Sequence, residues 1–446
     1  MSGANITAEP PVKGVPPAAE PGAWRKHALA AGFLAPAVFF LAIWIVYPTI
    51  RTIYRSFFDR SGDNFVWFDN YAEIFTSDVL LTAVQNNAIW ILVVPAFVTA
   101  IGLIFAVLTE RVSWAVAFKT AVFMPMAISA FAAGITWRIV YIEAPERGAL
   151  NAAIASVRDA FSPPGVLPDA APSTENITGT PRGGLTLAEP VQPGETAQLG
   201  LTRISADEIP EGAEQAVAPQ PVEGGIAGVV WRDFKPGGGE PGQVEQEEVG
   251  LPGVTVQLRT EQGETVREAS TEANGSFVFE DVEPGQYRVA IGAQTFAAPF
   301  GGVTWLGESL VTPAILIAYI WIWAGFAMVV IAAGLAAIPR DTLEAARTDG
   351  ATEWQVFRRI TVPLLAPVLS VVFITMLINV LKVFDIVIAL APGSVQDDAN
   401  VIALDMWRTS FGGISDFGFG SAIAVFLFVL VIPILALNIR RFRREV

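Results

Sequence analysis

Side chains with reactive chemistry are few and scattered in this 446-residue chain: one histidine, no cysteine, and lysine only at positions 13, 26, 119, 235 and 382. Without cysteine, thiol and disulfide chemistry are excluded. No lysine follows the glycine-rich loop that cradles phosphates, so the chain is not expected to hydrolyse a nucleotide itself. His27 lies beside Arg25 and Lys26 just before an apolar run and reads as a flanking residue rather than a catalytic one. These residues point away from bond-breaking chemistry and towards binding or passage: no enzyme, no metal site and no nucleic-acid partner are expected.

Two other groups of residues carry more information. In one apolar run, Lys382 and Asp385 stand three residues apart, with Asn379 one turn before Lys382 and Thr375 one turn further back. Ionisable groups inside such a run are costly, and by default they are functional candidates. The three-residue spacing predicts that Lys382 and Asp385 share a helix face and pair. The second group is a spaced motif: Glu344-Ala345-Ala346, then Gly350, then Ile360-Thr361-Val362-Pro363. Two alanines let a short helix approach a partner groove closely, and Glu344 supplies an acceptor there. Gly350 permits the reversal that ends the helix, and Pro363 suits the first turn of the next one.

The elements that position these residues follow from composition. A hydrophobic fraction of 52%, with 12 Trp and 29 Phe, exceeds what a soluble chain carries. Six stretches, roughly 28–50, 82–108, 117–141, 310–336, 363–391 and 417–439, approach the roughly 20 residues needed to cross hydrocarbon. Pro95, Pro125 and Pro313 are tolerated inside them because neighbouring helices re-satisfy backbone groups, and Gly102, Gly134, Gly325 and Gly334 allow close helix contact. The first run is too long for a signal-peptide core and is read as a retained span. Residues 1–27 form a Pro- and Ala-rich tail expected to be disordered.

Lys and Arg near the span ends set the orientation. Arg25, Lys26, Arg111, Lys119, Arg340, Arg347, Arg358, Arg359, Arg440, Arg441, Arg443 and Arg444 fall on one side. The short loops of the other side hold fewer, mainly Arg51, Arg55, Arg60 and Arg408. Both termini and the motif loop at 339–363 are therefore expected in the cytoplasm, and residues 161–300 outside it.

That external segment is a different kind of chain. It holds 21 Asp/Glu and 7 Lys/Arg, a net charge of −14 out of −15 for the whole protein. Residues 161–222 are Pro- and Gly-rich and read as a linker with strand potential near 183–204. From 223 to 300 the period becomes two: Val254, Val256 and Leu258, then Phe277 and Phe279, then Tyr287, Val289 and Ile291, with turns at Gln262-Gly263, Asn274-Gly275 and Pro284-Gly285. Short alternating strands between turns predict a β-sandwich.

Two resemblances attach to these residues. The string GIAGVVWRDF…NGSFVFEDVEPGQYRVAI, within 225–292, resembles prealbumin-like repeat domains of bacterial surface proteins. Some of these bind calcium through an Asp/Asn-rich loop. Here Asp233-Phe234-Lys235-Pro236-Gly237-Gly238-Gly239 lacks the repeated oxygen ligands a hard cation needs. The motif from Glu344 to Pro363 matches, apart from Val362 in place of Leu, the signature of ATP-binding-cassette importer permeases. Tyr47-Pro48, Ser56-Phe57-Phe58-Asp59, Phe68-Asp69-Asn70-Tyr71, Met124-Pro125-Met126-Ala127-Ile128-Ser129 and Trp137-Arg138 resemble the first-subunit permeases of the maltose and α-glucoside class. Asn379-Val380-Leu381-Lys382-Val383-Phe384-Asp385 resembles the α-glucoside branch. Ala391-Pro392-Gly393-Ser394 departs from that class's glycine-rich loop.

The resemblance implies an all-α six-span membrane permease of the type I importer fold, 28–160 and 301–446, interrupted by an extracytoplasmic all-β sandwich. It implies import of a sugar, an α-glucoside or related oligosaccharide, across a bacterial cytoplasmic membrane. Glu344, Ala345, Ala346, Gly350 and Pro363 would couple to the ATPase; Thr375, Asn379, Lys382, Tyr319, Trp321 and Trp323 would line the pathway, with Asp385 beside them. Partners would be a second permease subunit, an ATPase dimer that uses the ATP and magnesium, an external solute-binding protein and the bilayer itself; no cofactor is expected in this chain. In maltose-type permeases an enlarged external loop embraces the binding protein, so the acidic insert is expected to help dock it. The competing reading is a membrane-anchored adhesion or sensor protein that works through the β-module.

Overall fold

A computed structural model describes residues 23–110 and 112–445, with side chains for 30–110 and 112–433. The tail at 1–22 and Arg111 lie outside the described residues, as do the side chains of Arg25, Lys26, His27, Arg440, Arg441, Arg443 and Arg444. The expected tail nevertheless ends early, because residues 23–27 already belong to a helix.

Two compact units are present, one built from residues up to 133 and from 315 onward, the other from Gly134–Ala314. The first unit is helical. Helix α1 (Ala23–Leu41) passes through a π turn at Ala42–Val46 into α2 (Tyr47–Arg55). A short α3 (Asp69–Ile74) precedes the long α4 (Asp78–Thr109). Next come α5 (Ala115–Phe123) and α6 (Ala130–Val140), which runs into the second unit. There α7 (Ala149–Phe161) precedes the strands, and α8 (Val311–Ala336) returns to the first unit. Beyond it lie α9 (Arg340–Thr348), α10 (Glu353–Val356), α11 (Val362–Leu381), α12 (Asp385–Leu390), α13 (Ile402–Phe411) and α14 (Phe417–Glu445).

Among the described residues four helices are long and apolar enough to cross a membrane: Ala30–Arg55, Asp78–Thr109, Val311–Ala336 and Glu353–Leu381. The third expected span is not straight. Between Ala115–Ala127 and Ala130–Val140 the axis bends by 104°, around a 3₁₀ turn carrying Pro125 and an extended Ile128. The fifth does not reach residue 391 either: α11 stops at Leu381 and the short α12 starts only at Asp385. The sixth has its apolar stretch at Phe417–Pro433.

Contact between spans depends on missing side chains. A Cβ at Gly102 of α4 would lie 2.5 Å from the Ala327 Cβ of α8 and 2.9 Å from its backbone, so glycine is required for this approach. Two of the prolines are accommodated by another device. Pro48 and Pro363 each follow a π turn, Ala42–Val46 and Phe357–Thr361, where the ordinary i→i−4 ladder is already interrupted.

The second unit holds two five-stranded sheets. One has the order β1 (Ala171–Pro172), β4 (Thr196–Thr202), β5 (Ile226–Arg232), β6 (Val249–Gly250), with β9 (Ser276–Phe279) also on β5. The other runs β2 (Ile177–Thr180), β3 (Gly184–Leu187), β10 (Tyr287–Ile291), β7 (Thr255–Thr260), β8 (Thr265–Ser270). Alternation places Val256, Leu258, Val289 and Ile291 in the core with no exposure, together with Phe277 and Phe279. The segment 161–222, expected as a linker with strand potential near 183–204, supplies four strands, β3 and β4 within that range and β1 and β2 before it. Leu185, Leu199 and Leu201 are fully buried in the same core, and β4 pairs with β5 in parallel from Thr196↔Ala227 to Leu201↔Arg232. A 223–300 sandwich on its own would leave an edge of β5 and an edge of β10 unpaired.

Asn151 ties together the chain where it enters and leaves this unit. Its Nδ2 donates to the Ile142, Glu143 and Val303 carbonyls, each at 3.0 Å, and its Oδ1 accepts from the Val303 N–H and Trp305 Nε1. Fully buried, it satisfies polar groups that would otherwise be stranded.

Candidate functional site

The motif residues fold into a displayed helix. Helix α9 spans nine residues, and Glu344, Ala345 and Gly350 are exposed with Ala346 half-buried. The helix ends in a Schellman arrangement: the Ala351 N–H donates to the Ala346 carbonyl at 3.1 Å and the Gly350 N–H to the Arg347 carbonyl at 3.0 Å. Gly350 takes φ +85°, the left-handed region that disfavours a side chain. The next helix is capped at once, with Thr352 Oγ1 accepting from the Gln355 N–H and Gln355 Oε1 from the Thr352 N–H. Arg347 Nε donates to Glu353 Oε1 at 2.8 Å across the turn, and this carboxylate pushes the guanidinium pKa up.

Beneath α9 lies a cleft of about 630 Å³, lined by Leu103, Val107, Leu335, Leu343, Trp354 and Phe357. The Trp354 ring stacks on Phe357 at 5.5 Å yet remains 66% exposed. The chain thus presents a short, alanine-faced helix closed by a hydrogen-bonded turn, with an apolar floor behind it.

The predicted pathway residues separate into groups. Tyr319 and Trp323, one turn apart on α8, tilt against each other at 6.0 Å, and Tyr319 meets Trp90 of α4 edge-on at 5.1 Å. Tyr319 is buried, whereas Trp321 lies on another side of the helix and is 40% exposed. The three aromatics therefore do not form one surface. Thr375 and Asn379 do share a face of α11, with Asn379 Nδ2 donating to the Thr375 carbonyl at 3.0 Å.

The expected pairing of Lys382 with Asp385 is corrected. Lys382 caps the end of α11, residues 382–384 leave the helix, and Asp385 opens α12 with its Oδ1 accepting from the Ile386 N–H. A shared face requires a continuous helix, and among the described residues the two form no ion pair. Two residues that reading by ionisable groups passed over are Asn86 and Asn87, buried on α4 in the turn before Trp90. Adjacent amides inside an apolar span were the available signal.

The residues 47–71 that resembled a permease subclass pack on one another. Asn70 Nδ2 donates to the Ser56 and Phe58 carbonyls, Ser56 Oγ lies 2.6 Å from the Tyr71 hydroxyl, and the Phe57 ring contacts Phe68 and Tyr71. Among the described residues no group of three or more His, Cys, Asp or Glu is arranged to hold a metal ion.

Residues 277–443, from β9 to α14 and including the whole motif loop, match the family model described as the binding-protein-dependent transport system inner membrane component. The chain belongs to this family. As a binding-protein-dependent permease it is similar to the osmoprotective compounds uptake permease protein GgtC of Synechocystis sp., 29% identical over 414 residues, 93% of this chain and 98% of the relative. It is also 28% identical over 417 residues to the alpha-glucoside transport system permease protein AglF of Rhizobium meliloti, 93% of this chain and 82% of the relative. The permease fold resembles that in the crystal structure of a bacterial ABC transporter involved in import of the acidic polysaccharide alginate, with a TM-score of 0.55 at 16% identity over 94% of this chain and 96% of that one. Residues 224–300 separately match an SdrD B-like domain, in agreement with the β-sandwich insert.

Proposed function

We propose that this permease carries a sugar, an α-glucoside or related oligosaccharide, inward across the bacterial cytoplasmic membrane. A separate ATP-binding-cassette ATPase dimer would supply the energy and use the ATP and magnesium, while this chain performs no catalysis. The observation that carries the reading is the exposed α9, closed by Gly350 and lying within the stretch that matches the transport family. Glu344, Ala345 and Ala346 would enter a groove of the ATPase, and the Arg347–Glu353 turn with Pro363 would transmit its movement into α11. Thr375, Asn379 and Tyr319 would line the route, with Lys382 and Asp385 at its outer end and Trp323 behind Tyr319. The relatives named for osmoprotective compounds and alpha-glucosides support the substrate class.

Both termini and α9 are assigned to the cytoplasm and the β-unit to the outside, from the arginine distribution. A second permease subunit would complete the pathway, and an external binding protein would deliver the sugar. The β-unit's net −14 would favour a basic face on that protein. Its similarity to an SdrD B-like domain favours a second role, contact with other surface structures. Deleting the gene and measuring uptake of labelled α-glucosides tests the reading. Uptake should fall and return with the intact chain; unchanged uptake of every α-glucoside tried would refute the substrate class.

A further inference from the structure

The buried asparagines of α4 have no part in the function proposed so far, yet they reach across more than 300 residues of sequence. Asn86 Nδ2 donates to the Asp398 carbonyl at 2.7 Å and to the Asn400 carbonyl at 2.9 Å. Asn87 Oδ1 accepts from the Ile402 N–H, the first residue of α13, at 2.8 Å. The same stretch is braced from its other side: Asn400 Nδ2 donates to Asp405 Oδ1 at 3.1 Å, and Arg408 pairs with Asp397 at 2.7 Å. Exposure is 7% at Asn86, 3% at Asn87, 0% at Asn400 and 8% at Asp405, so the cluster is sealed.

This network is tight but incomplete. Asn87 Nδ2 and Asn400 Oδ1 are buried without a hydrogen-bond partner. An apolar pair of similar size would hold the two segments together without stranding polar atoms. When the segments part, solvent reaches both stranded atoms and the freed carbonyls, so separation is less unfavourable than for a fully satisfied contact. Such a contact suits an element with two arrangements rather than a permanent weld. It holds the connection between α12 and α13, which follows Lys382 and Asp385 at the proposed outer end of the route.

We propose that Asn86 and Asn87 form a clasp that holds the 397–402 connection against α4 and must release for the outer mouth of the pathway to open. The inference rests on the import reading for its direction. The clasp acts by positioning, since neither asparagine need touch the sugar.

The absence of cysteine from the sequence makes the test clean. Ile402, fully buried beside the clasp, is replaced in an Ile402→Cys variant and the assembled transporter is placed in proteoliposomes. A membrane-impermeant maleimide should label this cysteine slowly at rest and several-fold faster when binding protein and ATP drive turnover. Asn87→Leu in the same background should raise the resting rate by about tenfold, the factor one buried hydrogen bond is worth. ATP hydrolysis without binding protein should rise with it. Asn86→Ala, which removes two hydrogen bonds but leaves the Ile402 bond in place, should raise the resting rate at least as much and covers failure of Asn87→Leu to assemble. Resting rates equal to the parent in Asn86→Ala, or equal labelling at rest and in turnover in Ile402→Cys alone, would overturn the clasp. Failure of the unsubstituted transporter to import sugar would count against the import reading, while the clasp is judged on the resting rates.

Discussion

Gly350 offers a test in which backbone strain can be separated from packing. Its φ is +85° and no heavy atom lies within 4 Å of where a Cβ would stand, so a small side chain meets no steric obstacle. An alanine pays only for the left-handed conformation, about 1–2 kcal/mol. Helix α9 has little else to hold its end, because the Arg347–Glu353 pair is 41% and 59% exposed and contributes at most about 1 kcal/mol. A loss of 1–2 kcal/mol therefore lowers the population of the closed turn by roughly 5–30-fold. Asparagine tolerates left-handed φ and should fall between glycine and alanine. Proline fixes φ near −65° and removes the N–H that donates to Arg347, so it should abolish the turn. The expected order of sugar uptake in proteoliposomes is Gly350, then Gly350→Asn, Gly350→Ala and Gly350→Pro. Hydrogen exchange at Asp349–Ala351 should accelerate in the same order, with membrane insertion unaffected. Coupled transport at the parental rate in Gly350→Pro, or asparagine as damaging as proline, would refute the reasoning.

Three further outcomes follow from particular contacts. Asn379→Leu should lower uptake several-fold while leaving sugar affinity of the isolated binding protein unchanged; parental kinetics would return Asn379 to a structural role. Gly102→Ala forces α4 from α8 and should lower stability by about 1–3 kcal/mol, whereas Gly32→Ala, inside α1 with nothing within 4 Å, should not lower it. In the β-unit, burial pushes the Glu248 carboxyl pKa up, aided by the charges of Asp233 and Glu245 and opposed by the Glu245 N–H. The folded form therefore holds this proton more firmly than the unfolded chain does. Its contribution is full at acid pH and is lost as pH rises through the raised value. Glu248→Gln should slow hydrogen exchange of β5 and β6 at pH 7 and change little at pH 4; equal effects at both would contradict this.

The parts of this architecture that were legible in the sequence are those governed by near neighbours. Glycine at 350 acts within one turn, so the end of α9 follows from spacing alone, whereas the capping pair Thr352 and Gln355 came only with the structure. Alternation in 254–258 and 287–291 likewise decides which side chains face the core. The strands of 171–202 were harder to read because their partners are remote and, for β4 with β5, parallel. The end of α11 was hidden for another reason: no glycine or proline marks residues 382–384, and the apolar run continues through α12. The grouping of Lys382 with Asp385 failed with it. Asn86 and Asn87 escaped notice because neutral amides in a span carry no charge signal, although their need for partners is as strict.

The most direct measurement combines this chain with its second permease subunit, ATPase and binding protein in proteoliposomes and follows labelled α-glucoside entry. Inward accumulation should require ATP and binding protein together, and should vanish in Gly350→Pro while the ATPase still hydrolyses ATP. Accumulation without ATP, or undiminished accumulation when this chain is omitted, would contradict the account.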